Sequence, residues 1–230
     1  MSLVTLLLYS AEITLVGGGK WLVTSAVFGG MMNGHIICTS SRSKSMSVSH
    51  DIRTQSQTKL TYEHYVQYPE DGNRHEIIDG VHYMNSAPVP QHQKISRHIQ
   101  FQLFSAIELN GLGQVMDAPI DIQFSNHDVV QPDLVVVLTE NRIITTTKVK
   151  GVPDLVVEIL SPSTAQRDEG LKKELYEQSG VPEYWVVDPD EKSVRKYALT
   201  NQKYGEAVRC VDTVEFDGLP DIVVDLTRVW

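Results

Sequence analysis

At 230 residues the chain suits one domain of ordinary size with a sizeable core and some extra sequence. Its 41% hydrophobic and 21% charged content are those of a soluble globular protein. A formal net charge of −9 weighs against nonspecific coating of nucleic acid, which needs a dominant basic surface, but leaves room for a local basic groove around an acidic metal site. Two cysteines, Cys38 and Cys210, give neither metal-ligand spacing nor a disulfide framework, so a reducing cytoplasm is the expected compartment.

The first 57 residues read as a poorly structured or atypical extension, and residues 58–230 as the functional domain. "MSLVTLLLYSAEITLV" is apolar but lacks a basic leader and a clear small-residue cleavage site, so it does not read as a signal peptide. "WLVTSAVFGGMMNGHIIC" is too interrupted for a membrane span, and no membrane association is expected. "GGGKW" fails as a phosphate loop, because position 14 is Thr and Trp21 follows the lysine. The polar run that follows reads as linker. Met46 is a candidate natural start.

Within the domain, Thr61 can cap a short helix, "YEHYVQY", ended by Pro69 and Asp71-Gly72. "RHEIIDGVHYM" is a hairpin signal, with Asp79-Gly80 as its two-residue turn. Ile95, Ile99, Leu103 and Ile107 recur every four residues and predict an amphipathic helix of about 18 residues, closed by Gly111 and Gly113. "QVMDAPIDIQF" supplies one or two strands, and "PDLVVVL" and "PDLVVEIL" one each, separated by a polar loop or small excursion. "AQRDEGLKKELYEQS" reads as a helix with Gly180 as its C-cap. "PEYWVVD" and "SVRKYAL" are further strands, and the tail ends in a short strand or turn. Continuous apolar strands need cover on both faces, so the expected fold class is α/β, bordering on α+β: a mixed central sheet flanked by helices.

Three ionisable residues stand out. Glu158 interrupts an apolar strand, where a lone carboxylate costs several kcal/mol, roughly, unless paired, protonated or metal-bound. Asp133 opens the preceding apolar strand after Pro132; alone it could simply start that strand. Lys172 shares a helical stripe with Asp168 and Tyr176, at the border of a buried face marked by Leu171 and Leu175, whereas Lys173 should face solvent. Alone, Lys172 reads as a surface lysine paired with Asp168. Together, two carboxylates in one cleft suit Mg²⁺ or Mn²⁺, and no His/Cys cluster suggests zinc.

"RHEIIDGVHYM", "APVPQHQKIS", "QPDLVVV" and the long "PDLVVEILSPSTAQRDEGLKKELYEQSGVPEYWVVDP" together resemble the Uma family of restriction endonucleases, abundant in cyanobacteria and part of the PD-(D/E)XK nuclease superfamily. The resemblance spans roughly residues 60–228. It implies a restriction-endonuclease-like core and metal-assisted hydrolysis of phosphodiester bonds in DNA. It maps the two acids onto Asp133 and Glu158, with the Ile159 carbonyl as a further Mg²⁺ ligand. One position departs from the superfamily: Leu160 stands where the short motif has lysine, and the matching lysine is Lys172. Glu76, Asp168, Tyr176 and His92 also match, Glu76 as a third acidic group for a second ion or outer water. Arg74, Lys94 and Arg97 are candidate phosphate contacts, and a homodimer would suit double-strand cutting.

Two other readings stay open at this point: a catalytically inactive nuclease-fold module that binds DNA or protein, and a hydrolase of another substrate. The Met46 expectation is checked by mass spectrometry of the native protein. A mature N-terminus at Met46 is expected, and any peptide from residues 1–40 overturns it.

Overall fold

The computed structural model divides into two units, Met1–Thr54 and Gln55–Trp230. It describes residues 58–85 and 87–230, and in the first unit only the backbone of short strands, Glu12–Val16 paired with Lys20–Ser25 and Met31–Met32 paired with His35–Ile36. The linker, the phosphate-loop side chains and the Met46 start lie outside the described residues. Among those described, no helix is long and apolar enough to cross a membrane.

The second unit begins with a one-turn helix, α1 (Tyr62–Tyr65), capped by Thr61 as its sequence indicates but shorter than "YEHYVQY" suggests. The hairpin β1 (Arg74–Ile78) and β2 (Val81–Asn85) follows. Its turn puts Asp79 at φ 50° and Gly80 at φ 73°, the two left-handed positions of the tight turn that matches strand twist. Helix α2 (Pro90–Leu103) starts on a proline at its first turn and runs on through a π-helical turn, Phe104–Glu108. Then come β3 (Gly113–Asp117), β4 (Ile122–Gln123), β5 (Val129–Val130), β6 (Leu134–Leu138), β7 (Val149–Lys150) and β8 (Leu155–Ile159). Helix α3 spans residues 165–179 as α-helical Ala165–Arg167, a π turn at Asp168–Lys172 and α-helical Lys173–Ser179, closed by Gly180 at φ 86°. The chain finishes with β9 (Glu183–Asp188), β10 (Ser193–Thr200), β11 (Lys203–Tyr204), β12 (Val208–Cys210), β13 (Thr213–Glu215) and β14 (Val223–Asp225).

Two sheets result. The main one is ordered β11-β10-β9-β8-β6-β3, with β12 also on β10; only the β8–β9 pairing is parallel. The second is ordered β7-β4-β5-β1-β2. The central strands of the main sheet are buried on both faces, which is why they read as unbroken apolar runs. Leu155, Val157 and Ile159 join Ile95, Ile99, Leu103 and Ile107 of α2 in one cluster. Val156, Val135, Tyr184 and Val186 face the other way, onto Leu175 and Tyr176 of α3 and onto Ile78, Ile122 and Val130 of the second sheet. The fold is the expected mixed α/β arrangement. Of the two readings of the polar stretch after β6, loop or small excursion, the structure has the second, since Val149–Lys150 pairs parallel with β4 and extends the second sheet.

Gly80 lacks room as well as the usual φ, because a Cβ there would collide with Lys59. Gly80→Ala should lower stability by about 1–2 kcal/mol, read from urea midpoints. Gly170→Ala, helical and facing open space, should instead leave it unchanged or raise it by up to about 1 kcal/mol.

Candidate active site

Strand parity sends Glu158 toward α3, on the same side as Val156, and the chain supplies its partners from there. The Lys172 ammonium donates to Glu158 Oε1 at 2.9 Å, and the Tyr176 hydroxyl donates to the same oxygen at 2.7 Å. Lys172 also reaches Glu76 Oε1 on β1 at 2.8 Å and lies 3.8 Å from Asp168 Oδ1. One ammonium thus faces three carboxylates from three separate elements, and all four groups are buried.

The electrostatics follow from that count. Burial and the neighbouring acids Asp168, Asp133 and Glu76 push the Glu158 carboxyl above the usual range, although Lys172 pulls the other way. Burial opposes the charge on Lys172, yet Glu158, Glu76 and Asp168 overcome it and hold the ammonium protonated well above its ordinary value. Burial likewise raises Asp168 against the pull of Lys172. The three acids of the cluster outnumber Lys172 and Arg167, whose Nη1 stands 3.8 Å from Glu76, and burial adds to the pressure on Glu158 to hold a proton.

Asp133 reaches the same place by register. Strands β6 and β8 pair Leu134 with Val157 and Val135 with Val156. One further step puts Asp133 opposite Glu158, on the same face. There the ladder gives way to side-chain bonding: the Ile159 N–H donates to Asp133 Oδ2 at 2.9 Å. The same oxygen accepts from His92 Nε2 at 2.9 Å, and Oδ1 accepts from Arg74 Nη1 at 2.9 Å. Burial alone would raise this carboxyl; His92, Arg74 and the Ile159 amide outweigh it and hold it at about 2. The two acids therefore differ in state, Asp133 firmly ionised and Glu158 poised upward.

Both carboxylates line one small cavity of about 150 Å³, together with His92, Asp168, Lys172 and the Ser161–Thr164 turn. This cavity shares Arg74, Asn85, His92 and Asp133 with a larger cleft of about 770 Å³ that runs along α2. Among the described residues Glu158 Oε2 accepts no hydrogen bond, since both donors sit on Oε1.

The sequence-selected residues Glu76, Asp133, Glu158, Ile159, Asp168, Lys172, Tyr176 and His92 all meet here. Three details depart from the sequence reading. Lys172 is central rather than at a border, and Leu171 is 43% exposed; the acids of β1 and β8 draw the ammonium inward. Lys173 is only half-exposed, with its ammonium 4.3 Å from the centre of the Tyr197 ring. Arg74 is committed to Asp133, while of the other two phosphate candidates only Arg97 lines the large cleft and Lys94 is simply exposed.

Sequence reasoning missed Asn85, Gln131 and Arg167. Asn85 Nδ2 donates to Glu76 Oε2 at 2.9 Å, the Gln131 N–H donates to Glu76 Oε1 at 2.8 Å, and Arg167 Nη1 stands 3.8 Å from Oε2. The hairpin register pairs Glu76 with Tyr83 and Arg74 with Asn85, so the turn alone could have flagged Asn85 as a neighbour of Glu76. No comparable local signal marks Gln131 or Arg167.

The fold is that of a restriction-endonuclease-like protein. A solved structure described as a putative nuclease belonging to DUF820, from Anabaena variabilis ATCC 29413, matches it with a TM-score of 0.63. The match has 20% sequence identity and covers 74% of this chain and 97% of that one. The Uma2 family, described as "Putative restriction endonuclease", matches residues 62–227, and the chain belongs to it. No protein with a curated description matches the chain.

Removing the shared cation isolates three buried acids. Lys172→Met should cost about 3–5 kcal/mol of stability in chemical denaturation, the usual loss when one partner of a buried ion pair is deleted. An unchanged midpoint would mean that the cluster contributes nothing to the fold.

Proposed function

We propose that the chain is a metal-dependent DNA endonuclease that hydrolyses phosphodiester bonds at the Asp133–Glu158 pair. The observation that carries this reading is the convergence of those two carboxylates, from adjacent strands, on one cavity with a buried lysine on Glu158. Membership of the Uma2 family points the same way.

The donor set fits a hard divalent ion. Among the described residues, no three His, Cys, Asp or Glu side chains form a group that could hold a metal on their own. Mg²⁺ takes one or two carboxylates and keeps several waters, and Asp133 and Glu158 on one cavity are oxygen donors of that kind. Asp133, Glu158 through its unengaged oxygen, and the Ile159 carbonyl would hold Mg²⁺, with Mn²⁺ able to substitute. When bound, the ion supplies a polarised phosphate oxygen and a water of lowered pKa.

The chain's own residues do the remaining work. Arg74, His92 and the Ile159 amide keep Asp133 ionised. Lys172 counters the charge of Glu158 and offers a preorganised donor toward charge building on the phosphate. Glu76 acts as a positioning residue: its two oxygens are held by Asn85, Gln131 and Lys172, so it fixes the ammonium. Tyr176 and Asp168 complete the enclosure around Glu158 and Lys172.

The test is cleavage of circular DNA, both supercoiled and single-stranded, by the full chain with Mg²⁺ or Mn²⁺. Cutting is expected in metal and absent in EDTA. Glu158→Gln should reduce it by about 100-fold or more, while a thermal melt shows that the variant stays folded. Absence of cutting on both substrates, or equal cutting by wild type and variant, overturns the reading.

A further inference from the structure

The acids gathered around Lys172 decide how many divalent ions one chain can hold. Two-ion nucleases keep their ions about 3.5–4 Å apart, a spacing that one carboxylate can span. Glu158 is the residue placed to span it here. Its Oε2 accepts no hydrogen bond among the described residues, and its Oε1 faces the ammonium that also reaches Glu76 and Asp168.

That second place is already filled. Lys172 Nζ lies 2.9 Å from Glu158 Oε1, 2.8 Å from Glu76 Oε1 and 3.8 Å from Asp168 Oδ1. A second ion would draw its ligands from these three carboxylates, and the ammonium stands at the point they share. The Tyr176 hydroxyl takes a further position on Glu158 Oε1 at 2.7 Å. An oxygen that accepts from both an ammonium and a hydroxyl has its two lone pairs engaged.

Glu76 is closed to an ion by its own bonds. Oε1 accepts from the Gln131 N–H at 2.8 Å as well as from Lys172. Oε2 accepts from Asn85 Nδ2 at 2.9 Å, with Arg167 Nη1 3.8 Å away. Glu76 is fully buried and lines neither the large cleft nor the small cavity, whereas Asp133 and Glu158 both line the small one. Asp168 does line the small cavity, and there too the nearest cation is Lys172. To enter, a divalent ion would shed most of its waters and leave the buried ammonium without its partners, and each of these is costly.

We infer that the chain holds one divalent ion, at Asp133 and Glu158, and that Lys172 permanently fills the place of a second. Glu76 positions that ammonium and is not a metal ligand. The second positive charge of the site is thus built into the chain rather than drawn from solution. This rests on the metal-dependent nuclease reading for the presence of the first ion, but it is tested without turnover.

Electron paramagnetic resonance of Mn²⁺ added to the full chain reads the number. Wild type should bind one Mn²⁺ whose affinity Glu158→Gln lowers by at least about tenfold, since loss of even an outer partner of a metal ligand costs that much. Ions held elsewhere on this acidic chain are indifferent to that change and drop out of the count. The spectrum should be that of an isolated ion, because two Mn²⁺ about 4 Å apart broaden each other by spin–spin interaction. Glu76→Gln should leave the count at one. Lys172→Met, which empties the second place, should bind two Mn²⁺ with the broadened spectrum; if it does not fold, wild type and Glu76→Gln still decide. An interacting pair in wild type, an ion lost with Glu76→Gln, or a folded Lys172→Met that takes no second ion overturns the inference. Failure of the nuclease reading looks different: one isolated ion depends on Glu158, but no circular DNA is cut. Cutting by a chain that holds an interacting pair leaves the nuclease reading standing and removes this one. If wild type binds no ion that depends on Glu158, both fall.

Discussion

A single buried ammonium organises this protein. Lys172 on α3 is within hydrogen-bond distance of Glu76 on the second sheet and Glu158 on the main sheet, and close to Asp168 on its own helix. Each of those carboxylates would be costly at such depth by itself. Shared around one cation, they tie two sheets and a helix together beside the apolar cluster that holds Tyr176 and Val156. The arrangement is specific because an ion pair stripped of water tolerates little displacement, whereas the neighbouring Val and Ile contacts could slide.

Asp133 is held by a different logic. It lies at the end of the β6–β8 ladder, where its carboxylate replaces the next main-chain acceptor for the Ile159 amide. Two cationic or hydrogen-bonding groups from elsewhere, Arg74 and His92, complete its shell. Two acids directly opposite in register thus sit in contrasting electrostatic environments, one stabilised as the anion and one pushed toward the neutral form. Contrast of this kind within one cavity is a physical mark of a functional site, and the family to which the chain belongs agrees with it.

Much of the architecture was legible in local pattern. The Asp79-Gly80 turn, the four-residue spacing of Ile95 to Ile107 and the apolar runs around Val135 and Val156 each correspond to an element of the fold. These signals are short-range: a turn needs its left-handed positions, and a strand or helix buries a face with a fixed period. The weak points were places where partners lie far away in sequence. The short strand Val149–Lys150 is too brief to carry a pattern and exists because β4 pairs with it. Leu171 looked like part of a buried stripe, but the π turn and the pull on Lys172 leave it at the surface.

The candidate site divides in the same way. That Glu158 needs a partner is readable from residues 155–160 alone, because a carboxylate inside an apolar strand is too costly unpaired. Asp133 and Lys172 are legible as candidates too, from the apolar strand that follows Pro132 and from the helical stripe of Asp168, Lys172 and Tyr176. The pairing itself emerges with folding: Lys172 serves Glu76 as well as Glu158, Arg74 is spent on Asp133, and Asn85, Gln131 and Arg167 close around Glu76. The reason is physical. The cost of burying a charge is a property of its own residue and its neighbours in the chain, while relief of that cost comes from groups brought close by folding, which sequence spacing does not record.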